Sequence, residues 1–423
     1  MNKKYKILWF TNSPVRAKDI VGSKTQGGGW MDSLQEKLEA NKYIELHICF
    51  NWSRPLDRFE HSNSIYHPVY TPMPSNVIKR KFEKGDVRKD NQIRNYEQIV
   101  NDIEPDVINV FGSEGLFGLI IPKIKVPVVI WFQGSIHHCN LKWNTFLSNK
   151  DLLKYGNLKR NVKGRGILAR SKRLLKTEEQ ESDILKSTKF IIGRTAWDKR
   201  ILKIMAPNAK YFHVEEMLRE PFYNEKWQKK RTGTFKIISV LSPQTFKGFE
   251  AIFGCMERLN AINNHIEWHI VGCNGKEEVI SIFCKKMKLD PDKINVKFRG
   301  LKNPNEMVKL FLDSDLFVHT SHIENSSNAI QEAMLMGMPV IATAVGGTPS
   351  ILKNGVEGIL VQAGDWFELA GAILDLKENE EVAQSLGMRA RSLGLKRQET
   401  DKIVNDLVNV YQEITNEANK LNS

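Results

Sequence analysis

Thr320-Ser321-His322-Ile323-Glu324-Asn325-Ser326-Ser327-Asn328-Ala329-Ile330-Gln331-Glu332-Ala333-Met334 carries two carboxylates, Glu324 and Glu332, with seven residues between them. The apolar run Leu316 to Val318 leads into it, and Gly337-Met338-Pro339-Val340-Ile341-Ala342 follows. This reads as strand, loop, helix, turn, strand. One carboxylate leaves the end of a strand and the other lies inside the next helix. Both can face the crevice beyond the strand's carboxyl end, where open α/β sheets bind ligands. Ser326, Ser327 and Asn328 are good helix-capping residues, so the first backbone N–H groups of the helix open into the same crevice. The combination suits an anion flanked by hydroxyls, the chemistry of a nucleotide diphosphate sugar.

Outward from this stretch, the same alternation fills the chain. Strand-like runs occur at Ile7–Phe10, Leu46–Phe50, Val107–Val110, Val128–Phe132 and Phe190–Ile192, and again at Phe235–Val240, Trp268–Val271, Val296–Phe298, Leu316–Val318, Val340–Ala342 and Ile359–Val361. Most are short, continuous and apolar, as parallel strands covered on both faces should be. Helical patterns between them predict βαβ units with right-handed crossovers. The pattern starts twice, and 423 residues exceed one ordinary core. The expectation is an α/β protein of two Rossmann-like doubly wound domains, 1–222 and 223–395, with a terminal helix over 396–423 packing back on the first. Pro221-Phe222-Tyr223 and the polar residues 224–234 read as the linker, and the tail from Trp366 as helical.

Composition narrows the function. Hydrophobic residues make up 41%, ordinary for a soluble globular protein. The start, Met1-Asn2-Lys3-Lys4-Tyr5, lacks the apolar stretch of a secretory signal. The most apolar stretch, Leu116 to Phe132, is interrupted by Pro122, Lys123, Lys125 and Pro127 and does not read as a membrane span. Five scattered cysteines suit a reducing compartment. A cytoplasmic protein is therefore expected, with a possible peripheral seat on the inner face of the membrane. The formal charge is +13, and residues 142–176 hold eleven Lys and Arg against the single acid Asp151. Apolar Leu152, Tyr155, Leu158, Val162, Ile167, Leu168, Leu174 and Leu175 recur there at near-helical spacing. The region reads either as a solvated helix face or as a surface for anionic lipid, where each basic residue contributes ~1 kcal/mol. No aromatic-basic RNA motif or zinc spacing supports nucleic acid.

Three glycine-bearing loops follow strands. Gln26-Gly27-Gly28-Gly29-Trp30 precedes a helical pattern over Met31 to Leu38 and would let backbone approach a ligand at a helix start, or is a plain loop. It is not G-x-G-x-x-G, so no dinucleotide fingerprint is present. Val240-Leu241-Ser242-Pro243-Gln244-Thr245-Phe246-Lys247-Gly248 places Lys247 to reach a phosphate. Val345-Gly346-Gly347-Thr348-Pro349 suits a close ligand approach or a simple turn. Asp313-Ser314-Asp315 reads as a helix end and not a metal site. The adjacent ligands His137-His138-Cys139 lack a distant pair for zinc. No metal and no cofactor is expected.

In order and spacing, Glu324 and Glu332, Glu332-Ala333-Met334, Gly337-Met338-Pro339-Val340, Val345-Gly346-Gly347 and Glu357-Gly358 resemble the retaining glycosyltransferases of the family 4 type, which have the GT-B fold. The resemblance is strongest over 235–365. In the first half it rests on the strand followed by the Gly-Gly-Gly loop. Gly193-Arg194-Thr195-Ala196-Trp197-Asp198 and Leu218-Arg219-Glu220-Pro221-Phe222-Tyr223 look similar to bacterial surface-polysaccharide glycosyltransferases. The resemblance implies a donor on the second domain, an acceptor on the first, and transfer with retention of configuration in capsule, O-antigen or exopolysaccharide synthesis. It implies Glu332 on the ribose hydroxyls, Glu324 by the transferred sugar, and amides of Asn325, Ser326, Ser327 and Asn328 at sugar and diphosphate. Lys247 would neutralise the leaving diphosphate. Arg299, Gly300 and Leu301 would border the base, and Gly28 and Gly29 would approach phosphate or acceptor. The implied partners are a nucleotide sugar and a glycan or polyprenyl-diphosphate-linked acceptor.

Three positions depart from the family. Ser242 stands where an Arg usually precedes the Lys by five residues, with Arg194 as a candidate replacement. Gln133-Gly134 stands where a His is often found, with His137 and His138 close by. Ser327 stands where related sequences often carry Pro. Ser242 and Gln133 keep open a non-catalytic binding scaffold as the alternative, and a sugar-nucleotide epimerase on the same architecture is a further one.

Overall fold

The structure, a computed structural model, describes residues 4–23, 29–72, 85–229, 233–262 and 265–422. Two open sheets carry the chain. The first has eight strands in the order β3-β4-β2-β1-β5-β6-β7-β8. They are β1 (Tyr5–Thr11), β2 (Ile44–Trp52), β3 (Phe59–His61), β4 (Ser64–Tyr70), β5 (Val107–Phe111), β6 (Val128–Trp131), β7 (Phe190–Gly193) and β8 (Lys210–His213). The second has six, in the order β11-β10-β9-β12-β13-β14. They are β9 (Phe235–Val240), β10 (Ile266–Val271), β11 (Val296–Gly300), β12 (Leu316–His319), β13 (Val340–Thr343) and β14 (Ile359–Val361). Every pairing is parallel except that of β3 with β4. The architecture is GT-B, two doubly wound domains with C-terminal helices.

Central strands are apolar throughout because helices cover both faces. Each residue of β5, β6, β7, β12 and β13 is buried. Strand order reverses at β1/β5 in the first sheet and at β9/β12 in the second. Each reversal opens a crevice at the carboxyl ends. Three strands, β3, β4 and β8, are not evident from continuous apolar runs. They lie at the margins of the first sheet and are only partly buried. Pro68, inside β4, falls beyond the Ser64–Tyr66 stretch that β3 pairs, so no bond to β3 is lost there.

Two excursions tie the domains together. The C-terminal helix Thr400–Asn422 returns to the first domain, where Ile403, Leu407, Val410, Tyr411 and Ile414 join the core around β1 and β2. Trp9 Nε1 donates to Tyr411 Oη at 3.1 Å, and Tyr5 Oη donates to the Tyr411 carbonyl at 3.0 Å. The other excursion is the basic region. It folds as helices Asn149–Tyr155 and Leu158–Val162 followed by the long helix Ile167–Ser187. Gly156, Gly164 and Gly166 fall at the breaks between helices, so the apolar residues separate into two sets. Trp143, Leu147, Leu152 and Ile167 are buried in the core of the second domain, with Phe249, Ile280 and Phe283. Leu153, Leu158, Val162 and Leu175 stay exposed. Lys286 fastens the docked part, donating to the Phe146 carbonyl at 2.5 Å and pairing with Asp151 at 2.9 Å. Among the described residues no helix is long and apolar enough to cross a membrane.

Candidate functional site: the crevice between β9 and β12

Two loops meet where the second sheet reverses. The loop after β9 ends at Gly248, whose φ of +74° favours glycine, and a Cβ there would lie 2.0 Å from the Thr320 carbonyl oxygen. The Thr320 hydroxyl donates to the Lys247 carbonyl at 3.0 Å, and the His322 N–H donates to that of Phe246 at 2.8 Å. This stitching brings Lys247 Nζ within 2.7 Å of Glu324 Oε2. His319, the last residue of β12, places Nε2 3.3 Å from the same oxygen. Burial alone would push the Glu324 carboxyl up. Lys247 and His319 win, and hold it well below the ordinary carboxylate range. Glu324 is therefore a carboxylate with a partner cation, 18% exposed toward the cleft.

The tandem glycines after β13 pack against this loop. A Cβ on Gly346 would stand 1.9 Å from the Glu324 carbonyl oxygen, and one on Gly347 2.1 Å from that of Asn325. The Gly347 N–H donates to the Glu324 carbonyl at 3.0 Å. Close approach is required here, but of backbone to backbone.

Glu332 lies in the helix Asn328–Met336 and is 1% exposed. Its carboxylate takes two 2.6 Å hydrogen bonds from Arg219, one from Nε and one from Nη2. Burial pushes the Glu332 carboxyl up and the guanidinium opposes it. Arg219 sits in the segment joining the domains, stacks on Phe222 at 4.9 Å, and leaves no room for a side chain at Gly29, whose Cβ would be 2.7 Å from Arg219 Cδ. Gly28 lies outside the described residues, while Gly29 opens the helix Gly29–Glu39.

Ser327 caps the helix Asn328–Met336, its hydroxyl accepting the Ile330 N–H. The neighbouring side chains reach across the seam to the first domain. Asn325 Oδ1 accepts from the Thr195 hydroxyl at 2.8 Å, and Ser326 Oγ donates to Glu216 at 2.6 Å. Gln331 donates to the same Glu216 oxygen at 2.6 Å. Arg194, at the end of β7, stands 3.2 Å from the other Glu216 oxygen, and both side chains are sealed from solvent. Arg194 also approaches Gln133 Oε1 at 3.4 Å. It is thus built into the seam. Asn328 opens its helix half-buried, and Ser242 is exposed at the mouth of the β9 loop.

At the end of β11, Arg299 Nη2 meets His269 Nε2 at 3.0 Å, Gly300 adopts φ +68°, and Leu301 is exposed. On the first domain, His137 Nδ1 meets Glu178 Oε1 at 2.5 Å, and His138 Nδ1 meets the Ser135 hydroxyl at 2.9 Å. Asp313 and Asp315 lie at the other end of the second sheet, where Lys236 bonds both through Nζ and its N–H, each at 2.8 Å. Of the three residues that sequence reasoning brought to one crevice, the structure pairs Lys247 with Glu324, while Glu332 pairs with Arg219. Sequence reasoning missed His319, although a polar residue closing an apolar strand at the reversal is itself a signal. It assigned no role to Arg219.

Residues 223–393 match the family described as "Glycosyl transferases group 1". Over 114 residues the chain is 31% identical to N-acetyl-alpha-D-glucosaminyl L-malate synthase of Bacillus anthracis, covering 27% of this chain and 30% of that protein. Over 204 residues it is 26% identical to the amylovoran biosynthesis glycosyltransferase AmsK of Erwinia amylovora, covering 46% and 49%. The chain therefore spans less than half the length of these relatives. Among solved structures, sucrose-phosphate synthase of Thermosynechococcus elongatus superimposes with a TM-score of 0.72 at 14% identity, over 97% of this chain and 99% of that one. HepE of Anabaena, solved with UDP and glucose, gives 0.60 at 14% identity, over 99% and 100%. Over residues 223–393 the chain is thus similar to the group 1 glycosyl transferases, and as a whole it has the GT-B fold.

Proposed function

We propose that the protein transfers a hexosyl or N-acetylhexosaminyl group from a nucleotide sugar to a glycan or lipid-linked acceptor, with retention of configuration, in cell-surface polysaccharide synthesis. The observation that carries this reading is the pairing of Lys247 with Glu324 at the β9/β12 reversal, just before the helix Asn328–Met336 that holds Glu332. Glu332 suits the ribose hydroxyls and Glu324 the hydroxyls of the transferred sugar. Lys247 neutralises charge as the bond from C1 to the diphosphate breaks and the acceptor oxygen bonds C1. The products are the glycoside, the nucleoside diphosphate and a proton. An oriented cation in a water-poor site is worth more than in bulk water. AmsK, named for polysaccharide synthesis, and HepE, solved with UDP, support the acceptor and donor classes.

The test is a thermal-shift series of UDP, GDP, ADP, CMP, dTDP and their sugar conjugates. At 100 times its Kd a ligand stabilises the native state by about 2.7 kcal/mol. One responding base identifies the donor nucleotide. No response from any of them sinks the reading.

The acceptor side includes a membrane surface. All eleven Lys and Arg of residues 142–176 are exposed, beside exposed Leu153, Leu158, Val162 and Leu175. At ~1 kcal/mol per basic residue near anionic lipid, reversing Arg170, Lys172 and Arg173 to Glu should weaken binding to phosphatidylglycerol vesicles at least a hundredfold. Unchanged co-sedimentation would refute the lipid contact and leave the transferase reading standing.

A further inference from the structure

Glu324 and Glu332 each hold a cation. Lys247 pairs with Glu324 at 2.7 Å and Arg219 with Glu332 at 2.6 Å. These two pairs are formally neutral, yet the proposed donor brings a diphosphate. Arg219 differs from Lys247 in one respect. It holds Glu332 through Nε and Nη2, and Nη1 has no hydrogen bond among the described residues. A guanidinium can serve two anions at once because its donors leave along different edges of one plane. Glu332 is the fifth residue of the helix Asn328–Met336, so at 1.5 Å per residue it stands ~6 Å along the axis from the helix start. A ribose held at Glu332 and a diphosphate at the helix start are separated by about that distance. The Arg219 fork stands beside the first of these sites, with 16% of its side chain exposed.

We propose that Arg219 is a phosphate-binding residue of the donor site, its Nη1 edge taking a diphosphate oxygen while Nε and Nη2 keep Glu332 aimed at the ribose. The inference rests on the donor reading above. Because Arg219 stands on the interdomain segment and packs on Gly29 of the first domain, the diphosphate contact also connects donor binding to the seam between domains.

Calorimetric titration of the full chain tests this, using the nucleoside, its 5′-monophosphate and its 5′-diphosphate for the base that stabilises the wild type. Arg219→Ala is expected to lose at least tenfold in diphosphate affinity and less than threefold for the nucleoside. Arg219→Lys keeps a charge and should recover part of the loss. Since removing Arg219 strands Glu332, the pair is repeated in an Glu332→Gln background, where the diphosphate-selective loss should persist. Equal losses for all three ligands would overturn the inference, reducing Arg219 to a support for Glu332. A wild type that binds no diphosphate of any base would overturn the donor reading and this inference together. Binding by the wild type with equal losses in the variants overturns the inference alone.

Discussion

The two reversal points of this molecule treat their carboxylates in opposite ways. At β9/β12 each acid has a cation, Lys247 on Glu324 and Arg219 on Glu332. At β1/β5 the acids are Glu114 and, behind it, Glu181, and neither forms an ion pair among the described residues. Glu114 accepts from Asn12 Nδ2 at 2.7 Å, and Glu181 accepts from the Ser113 hydroxyl at 2.8 Å and the Ile136 N–H at 2.9 Å. Burial pushes both carboxyls up, whereas Glu324 is held down. Cys139, on the first-domain segment after β6, packs against the core of the second domain. One wall is built of matched charges and the other of hydrogen-bonding groups. The first suits a diphosphate, which competes for the cations.

The seam is where this division can be broken most severely. Arg194 and Glu216 are a buried ion pair, 2% and 0% exposed, and Glu216 also holds Ser326 and Gln331 of the second domain. Removing one member strands the other, a change that costs about 3–5 kcal/mol. Arg194→Ala should lose that much in urea unfolding, and domain contacts near Ser326 should exchange amide hydrogen faster. A loss under 1 kcal/mol would show that the seam does not depend on this pair.

Turnover separates the walls themselves. Lys247→Ala and Glu324→Ala each remove a charge positioned for the reacting bond and should lower kcat about 10²–10³-fold. Glu114→Gln, on the wall without ion pairs, should change it only a few-fold, since an amide keeps an acceptor for Asn12. Equal effects on both walls would remove the distinction.

How much of this could be read from sequence follows from the range of the interactions. Central strands were legible because burial on both faces leaves an uninterrupted apolar run. β4 was not, because Tyr66, His67 and Pro68 mix polarity and a missing N–H within a marginal strand. Lys247 and Glu324 were legible because each follows a recognisable strand within a loop. Arg219 and Glu332 lie 113 positions apart, and no local pattern joins them. The docking of residues 143–167 on the second domain was hidden for the same reason, since its partners Phe249 and Phe283 come from another fold unit. Glu332→Ala tests the part that was legible. It should weaken nucleotide binding by about 1.5–3 kcal/mol, the worth of one charged hydrogen bond, with a smaller change in kcat. A fall in kcat at unchanged affinity would exchange the roles of the two carboxylates.

The smallest expected effect lies farthest from the cleft, and it checks whether acid sensitivity belongs to the charged wall. On β2 and β4, His47 Nδ1 meets His67 Nε2 at 2.9 Å. Burial pushes His67 down to about 4 and His47 down as well, with Arg58 acting on both in the same direction and Glu45, 3.0 Å from His47 Nε2, opposing the shift on His47. Their unfolded value is about 6.5. A histidine whose folded pKa is depressed contributes stability that is whole above about 6.5 and is lost as pH falls toward 4. Glu324 is depressed from an ordinary carboxylate value, so its contribution is lost only below about pH 4.3. The two regions therefore titrate in different windows. Between pH 7 and 5 unfolding free energy should decline as the unfolded chain binds protons that these two imidazoles refuse in the native state. His67→Gln should flatten that slope while leaving the decline below pH 4 in place. If the variant instead retains the slope from pH 7 to 5, the proton is taken up elsewhere, and the histidine pair is not the acid-sensitive element of the first sheet.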